Sequence, residues 1–282
     1  MSKKKSKEIF QWTDDTEIIG VTLTLKAIYD LKISLNYTTA LHAWFLHQVR
    51  NSDPQLSAYL HDGQSKKAFT ISPLIGNLEP KDKKLFIAET DIYTWTISAL
   101  SKPLCDWLKV WCNHYPSELN LSTGRFVIEK ISVTLPATTY NFLWSMPLPK
   151  RSCFTLTFLS PTCFSHKNHH LPLPIPANIF HSYLRRWNHF APEAFPQEEF
   201  LSWIDQVVYI TNYDLTCTKV VVAKQGFVTG FVGNVEFGVN RKKAFQNEEF
   251  ERLLSALIQL APYCSTGYKS TFGLGQTRLL TE

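Results

Sequence analysis

Gly267-Tyr268-Lys269-Ser270-Thr271-Phe272-Gly273-Leu274-Gly275-Gln276-Thr277-Arg278 stands between a helical pattern over 248–260 and a short strand pattern over 278–280. So much glycine requires a backbone that turns with positive φ or runs very close to a neighbour. Successive N–H groups beside Lys269 and Arg278 would cradle phosphate oxygens. A glycine-rich turn packed beneath a sheet accounts for the same residues, and both readings stand at this point. The spacing is not G-x-x-x-x-G-K-[ST], and the run follows a helix instead of opening one, which argues against a nucleotide P-loop.

Working outward, the elements before this run set its place in the fold. The second half begins with a strand over 152–159 and a helix over 178–190 behind Pro172, Pro174 and Pro176. A short helix over 198–204 follows. Two long strands, 207–223 and 226–239, turn at Lys224-Gln225-Gly226, and the 248–260 helix, the glycine run and the final strand complete the order β-α-β-β-α-β. The first half repeats that order. A β-branched strand over 20–27 leads to a helix over 38–49, capped by Thr38 or Thr39 and carrying the apolar stripe Leu41, Phe45, Leu46 and Val49. A short helix over 54–60 ends at His61-Asp62-Gly63. Strands over 69–72, 85–87 and 93–100, a helix over 103–114 and a strand pair over 125–133 close the unit.

Each half therefore predicts a split βαβ unit, one sheet face under two helices and the other free. The fold class is α+β: two tandem ferredoxin-like (RRM-like) domains over 17–136 and 137–282, behind a flexible basic tail over 1–16. A connector bearing Pro136, Pro147 and Pro149 joins them. The free faces are expected to turn toward each other across a cleft, with Phe227, Phe231 and Phe237 in the core.

With 44% hydrophobic and 13% aromatic residues, burial can outweigh chain entropy over 282 residues, which excludes a disordered chain. A net charge of +5 permits a polyanionic partner without demanding one. The basic residues cluster, as in Lys81-Lys83-Lys84, Arg185-Arg186 and Arg241-Lys242-Lys243. Six cysteines without a C-x-x-C pair read as reduced, mostly buried thiols of a cytosolic protein. His166, His169 and His170 form the one tight histidine group and read as a solvated loop, not a zinc site. No secretory h-region follows the N-terminal lysines and no apolar run reaches membrane-spanning length, so no membrane is expected.

Four blocks carry a resemblance to a known family. The Gly267–Gly275 run resembles the glycine-rich loop of the RAMP superfamily of CRISPR-associated proteins, and in particular of the repeat-cleaving endoribonucleases (the Cas six family). Phe158-Leu159-Ser160-Pro161-Thr162-Cys163-Phe164 resembles the start of that family's second domain, and Arg186-Trp187-Asn188 the end of its first helix. Tyr59-Leu60-His61-Asp62 with Phe69-Thr70-Ile71-Ser72-Pro73-Leu74 resembles the segment from the first helix to the second strand. The blocks follow in the family's order across nearly the whole chain, and the family has two tandem ferredoxin-like domains.

The resemblance implies metal-independent cleavage of precursor CRISPR RNA within its repeats, with no cofactor and no metal site. The 2′-OH beside the scissile phosphate attacks it, leaving a 2′,3′-cyclic phosphate and a 5′-OH. Such chemistry needs a proton acceptor, cations on the phosphate and in-line geometry. Histidine suits the first role and lysine the second.

On the family's pattern His61 is the first candidate base or acid, with Lys67 steadying the phosphate, and His42 on the first long helix is its rival. Taken alone, His61 and Lys67 read as a helix C-terminal residue and a surface charge. For RNA binding the resemblance points to Lys269, Ser270, Gly273, Gly275 and Arg278 of the loop. Charge and position add Arg125, Lys130 and Arg151 near strand ends of the domain junction, and Arg241 and Lys242 after the second long strand. The implied partners are CRISPR repeat RNA and other Cas proteins of a Cascade-like complex. A non-cutting crRNA-binding subunit of an effector complex is the competing function.

Overall fold

In the computed structural model, residues 10–61, 67–121, 124–148, 152–167, 169–222 and 226–280 are described. The β-branched run Ile18–Ala27 forms β1 and decides the first half. Its alternate residues Ile19, Val21, Leu23 and Leu25 are wholly buried, as a strand covered on one face requires. Onto that face fold α1 (Tyr37–Ser52) and α3 (Lys102–His114). Leu41, Phe45 and Val49 from α1 and Leu104, Trp107, Leu108 and Trp111 from α3 enter the same core as the β1 residues. Each large apolar side chain buried this way contributes about 1.5–3 kcal/mol.

Between the helices come β2 (Leu31–Ser34), α2 (Pro54–His61), β3 (Phe69–Ile71), β4 (Glu79–Lys81), β5 (Lys84–Ile87) and β6 (Ile92–Ala99). After α3 come β7 (Glu118–Leu121) and β8 (Gly124–Thr138). The main sheet runs β3-β6-β1-β8-β7, antiparallel where neighbours pair. Without the added edge strand β7, this is the ferredoxin-like order. The strand expected over 85–87 lies elsewhere, in a side sheet β2-β5-β4. With Glu79, Pro80, Lys81 and Lys84 exposed, those strands cannot lie under helices.

The second half repeats the plan. After the short helix α4 (Tyr140–Ser145) come β9 (Cys153–Thr162) and the hairpin β10 (Phe164–His166) and β11 (His169–Leu171). Next are α5 (Pro176–Phe190), α6 (Gln197–Val207), β12 (Val208–Val221) and β13 (Phe227–Val239). The turn expected at Lys224-Gln225 between β12 and β13 lies outside the described residues. The chain closes with α7 (Arg241–Ala244), α8 (Glu248–Cys264) and β14 (Thr277–Leu280). The sheet order β12-β13-β9-β14 is again ferredoxin-like. Asn247 caps α8 through its side chain, and Glu248, Glu249 and Glu251 fill the first turn, where the helix dipole favours negative charge. Among the described residues, no helix is long and apolar enough to cross a membrane.

Four expectations need correction. The sheets do not meet face to face: α8 of the second half lies against β1, β3 and β6, and Thr70 Oγ1 of β3 donates to the Tyr263 carbonyl of α8 at 2.9 Å. A polar sheet face lined by Thr22, Thr96 and Ser98 suits a helix with hydrogen-bonding groups better than a second apolar sheet. Residues 10–16 are no free tail, because Trp12 is in the first core and the Asn113 side chain bonds both backbone groups of Phe10; residues 1–9 lie outside the described residues. Phe227 is exposed, although Phe231 and Phe237 are buried as expected. The segment of His166, His169 and His170 is an ordered hairpin, not a loop, since all three pair across β10 and β11.

All six cysteines are free thiols, with Cys105, Cys112, Cys163 and Cys264 buried and Cys217 exposed.

Candidate active site

The glycine run forms a link between the halves. After α8 the chain turns at Gly267, makes a single 3-10 turn at Ser270–Phe272, and enters β14 through Gly275. Gly275 has φ +71°, and a Cβ there would sit 1.8 Å from the Thr266 carbonyl oxygen. Gly267 has φ +77°, with its would-be Cβ 2.3 Å from the Cys163 carbonyl oxygen. Both glycines are therefore required by backbone-to-backbone approach. Thr266 N donates to the Gly275 carbonyl at 2.7 Å and Gly275 N to the Pro161 carbonyl at 3.0 Å. The packed-turn reading is right for this backbone, which is tied down over its own sheet.

The 3-10 turn projects onto α1 and β3 of the first half. There His42 of α1 donates from Nδ1 to the Thr271 carbonyl at 2.8 Å; a carbonyl only accepts, so this bond puts the proton on Nδ1. The ring stacks on Phe272, centroids 4.3 Å apart and planes 13° from parallel. Its Nε2 has no hydrogen bond among the described residues. Burial lowers the His42 pKa to about 4, despite the opposing bond to Thr271, and the nearby charges of His61, Lys67 and Lys269 push the same way. At neutral pH this is an uncharged, oriented imidazole with a free basic nitrogen.

His61 is the exposed last residue of α2. Lys67 donates from Nζ to the Leu60 carbonyl at 2.8 Å, so its ammonium covers the C-terminal end of α2, where a cation is favoured. Lys269 adopts φ 54° just before the 3-10 turn, and its Nζ stands 5.1 Å from the Phe272 ring centroid. The fold thus brings His61 and Lys67 from one stretch of chain and Lys269 from another close enough for their charges to act on His42.

Arg186 holds this junction. From α5 its guanidinium donates to the Lys67 carbonyl and, at 2.7 Å, to Ser270 Oγ. One side chain of the second half thereby ties the segment after α2 to the 3-10 turn that orients His42. Burial lowers its pKa from the ordinary arginine value. The sequence shows Arg186 as a member of a basic pair and of the Arg186-Trp187-Asn188 block, with no role at the junction attached to it. A cation beside a helix's apolar stripe is the signal that it snorkels into a buried polar seam.

Other expected RNA-binding residues lie elsewhere. Arg125 pairs weakly with Glu118 at 3.9 Å, beside the far end of β1. Phe69 of the site aligns with the start of β1 through Ala99, so the two regions are about 27 Å apart along that strand. Lys130 is exposed in mid β8. Arg241 pairs with Glu251 at 3.5 Å on α7, and Lys242 is exposed beside it. Arg278 is aligned with Thr157 on the half-exposed face of the second sheet, away from its buried neighbour Thr277. Gly273 backs onto Pro73 and Thr38, and Ser270 is buried against Arg186. Arg151 lies outside the described residues. Among the described residues, no three His, Cys, Asp or Glu side chains gather as metal ligands would.

Comparison with known proteins agrees with this architecture. Residues 156–277 match the family model of the CRISPR-associated endoribonuclease Cas6, and residues 20–134 match the model of the CRISPR Cas6 N-terminal domain. The fold is similar to that of a Thermus thermophilus Cas6 in its product complex, with TM-score 0.75 and 22% identity over 93% of this chain and 100% of that one. A second Cas6 product complex gives TM-score 0.70 and 21% identity over 94% and 99% of the two chains. A Cas6-related protein of Pyrococcus furiosus gives 0.63 and 14% over 94% and 99%. No curated protein sequence matches the chain. With both halves matched in order and each folded as the same βαββαβ unit, the chain belongs to the family of CRISPR-associated endoribonucleases Cas6.

Proposed function

We propose that the protein cuts precursor CRISPR RNA within its repeats, without a metal ion, by attack of a ribose 2′-OH on the adjoining phosphate. The observation that carries this reading is the His42 imidazole, its Nδ1–H committed to the Thr271 carbonyl, its Nε2 without a hydrogen bond among the described residues, and the charges of His61, Lys67 and Lys269 near enough to act on it. Nε2 takes the proton of the 2′-OH. Attack then forms the O2′–P bond and breaks the P–O5′ bond. His61 gives a proton to the departing O5′, so the products are a 2′,3′-cyclic phosphate and a 5′-OH. Lys67 and Lys269 stabilise the negative charge on the phosphoryl oxygens, with Lys67 shared between the phosphate and the Leu60 carbonyl. Residues 17–136 supply the two histidines and 137–282 the loop that orients one of them. In this reading the protein works in the cytoplasm on repeat RNA and can remain with its product in a larger Cas assembly.

The test uses labelled repeat RNA in EDTA beside a matched RNA with one 2′-deoxy sugar at the cut. Cleavage of the first alone is expected. Binding of both with cleavage of neither, even when divalent cations are restored, leaves the non-cutting crRNA-binding subunit as the answer.

The reading also sets a pH dependence. His42 must be neutral to act as a base and His61 protonated to act as an acid, so kcat/KM should not fall as the pH drops from neutrality to about 5. It should then fall about tenfold per unit below the His42 value of about 4. A bound phosphate favours the imidazolium, so the acid limb of kcat lies at higher pH than that of kcat/KM. An acid limb in kcat/KM near the ordinary histidine value would remove His42 from the base's role.

A further inference from the structure

The helix α5 carries two stripes. Ile179, Phe180, Tyr183, Leu184 and Trp187 are buried in the second core. Asn178, His181, Ser182 and Arg185, at i, i+3, i+4 and i+7, form a separate polar stripe at helical spacing. That polar stripe does not simply face bulk water. It forms one bank of a groove of about 560 Å³ whose other bank is Gly267–Phe272 of the glycine run, with Lys67 and Arg186 between the banks. Among the described residues, no carboxylate lines the groove. Arg185 is exposed and makes no ion pair among the described residues, while Arg186 and Lys269 add charge of the same sign. Phe164, Tyr268 and Phe272 supply aromatic surface.

From this geometry we infer that the groove is a second RNA subsite, which takes a single unpaired nucleotide next to the one being cut. The inference rests on the RNA-cleaving reading of the neighbouring site and adds to it a position of recognition. A groove whose described lining offers cations, neutral polar groups and aromatic rings fits the phosphate, edge and face of a single-stranded nucleotide. A volume of about 560 Å³ admits one nucleotide and not a base-paired duplex. Arg185 at the rim contacts the phosphate. Asn178 presents a donor and an acceptor to the base edge and Ser182 an acceptor, its O–H being donated to the Ile179 carbonyl at 2.8 Å, and His181, whose Nε2 lies 3.1 Å from Gln197 Oε1, is held in place beside them. Lys67 and Lys269 line this groove and also flank His42, so a nucleotide seated here is continuous with the scissile phosphate.

Arg185→Gln and Arg185→Glu change an exposed side chain, and unchanged melting curves confirm the fold. With repeat RNA made uncleavable by a 2′-deoxy sugar at the cut, Arg185→Gln should weaken binding about five- to tenfold. It should also lower the slope of log K against log salt by about 0.7, the value of one single-strand phosphate contact. Arg185→Glu should weaken binding further. In cleavage assays scanning all four bases at each position near the cut, the Asn178→Ala/Ser182→Ala variant should lose about tenfold of discrimination at one position and keep it elsewhere. Parental affinity and salt slope in both Arg185 variants, or an unchanged base scan, overturns the subsite. A parent protein that neither binds nor cuts the repeat RNA overturns the functional reading itself, so the two failures are distinct.

Discussion

His42→Ala lowers the rate of repeat RNA cleavage by about 10²–10⁴-fold, the usual contribution of a positioned general base, and leaves affinity for the 2′-deoxy RNA near the parental value. The reason is geometric. The Thr271 carbonyl holds the Nδ1 proton and Phe272 fixes the plane of the ring, so Nε2 is presented in one orientation. Alanine also removes a ring from the seam between α1 and the 3-10 turn, so lost activity alone would be ambiguous. His42→Phe resolves this, because it keeps an aromatic ring against Phe272 and Phe69 but supplies no base. It should match the alanine variant in rate while melting closer to the parent. Single-turnover cleavage with each variant is the measurement. Parental rates in both His42 variants, with loss confined to His61→Ala, would give the base's role to His61.

Gly275→Ala is expected to be the most damaging alanine substitution among the described glycines. Its Cβ would stand 1.8 Å from the Thr266 carbonyl oxygen, in a backbone held at φ +71°. Neither partner can yield cheaply, because Thr266 is fixed by its own N–H to the Gly275 carbonyl and by its hydroxyl to Tyr183 and Thr277. A stability loss of about 3–5 kcal/mol is expected. For a chain of this size that lowers Tm on the order of 10 °C. The loop would shift before the protein unfolds, moving the Thr271 carbonyl away from His42, so cleavage should also fall well below the melting range. Thermal unfolding with cleavage at low temperature separates these effects. A variant with parental Tm and rate would show that the loop relaxes freely, and the account of its role would fail.

Much of this site was invisible from residue order for a definable reason. The bond from His42 to Thr271 joins residues 229 apart, and that from Arg186 to Lys67 joins residues 119 apart. Periodicity reports which face a side chain takes on its own element, and it placed His42 correctly beside the buried stripe of α1. It carries no information on what covers that face. Lys67 shows the same limit, since its place in the sequence gives no hint that its ammonium returns to the Leu60 carbonyl. The cations of Arg125, Lys130 and Arg241 were drawn to the RNA reading by charge alone, and the sheets then dispersed them.

What residue order determined without help was the doubled βαββαβ plan, because alternating and helical burial patterns are local and each is written within a single element. The glycine positions were legible for the same reason: positive φ is a property of one residue, whatever surrounds it. Tertiary structure alone decided that α8 would cover the first sheet's polar face, that Arg186 would clamp the junction, and that His42 would meet the glycine run with its Nδ1 already engaged. Those outcomes depend on how two separately patterned halves dock, and docking is set by shape and hydrogen-bond matching between surfaces that no local period encodes.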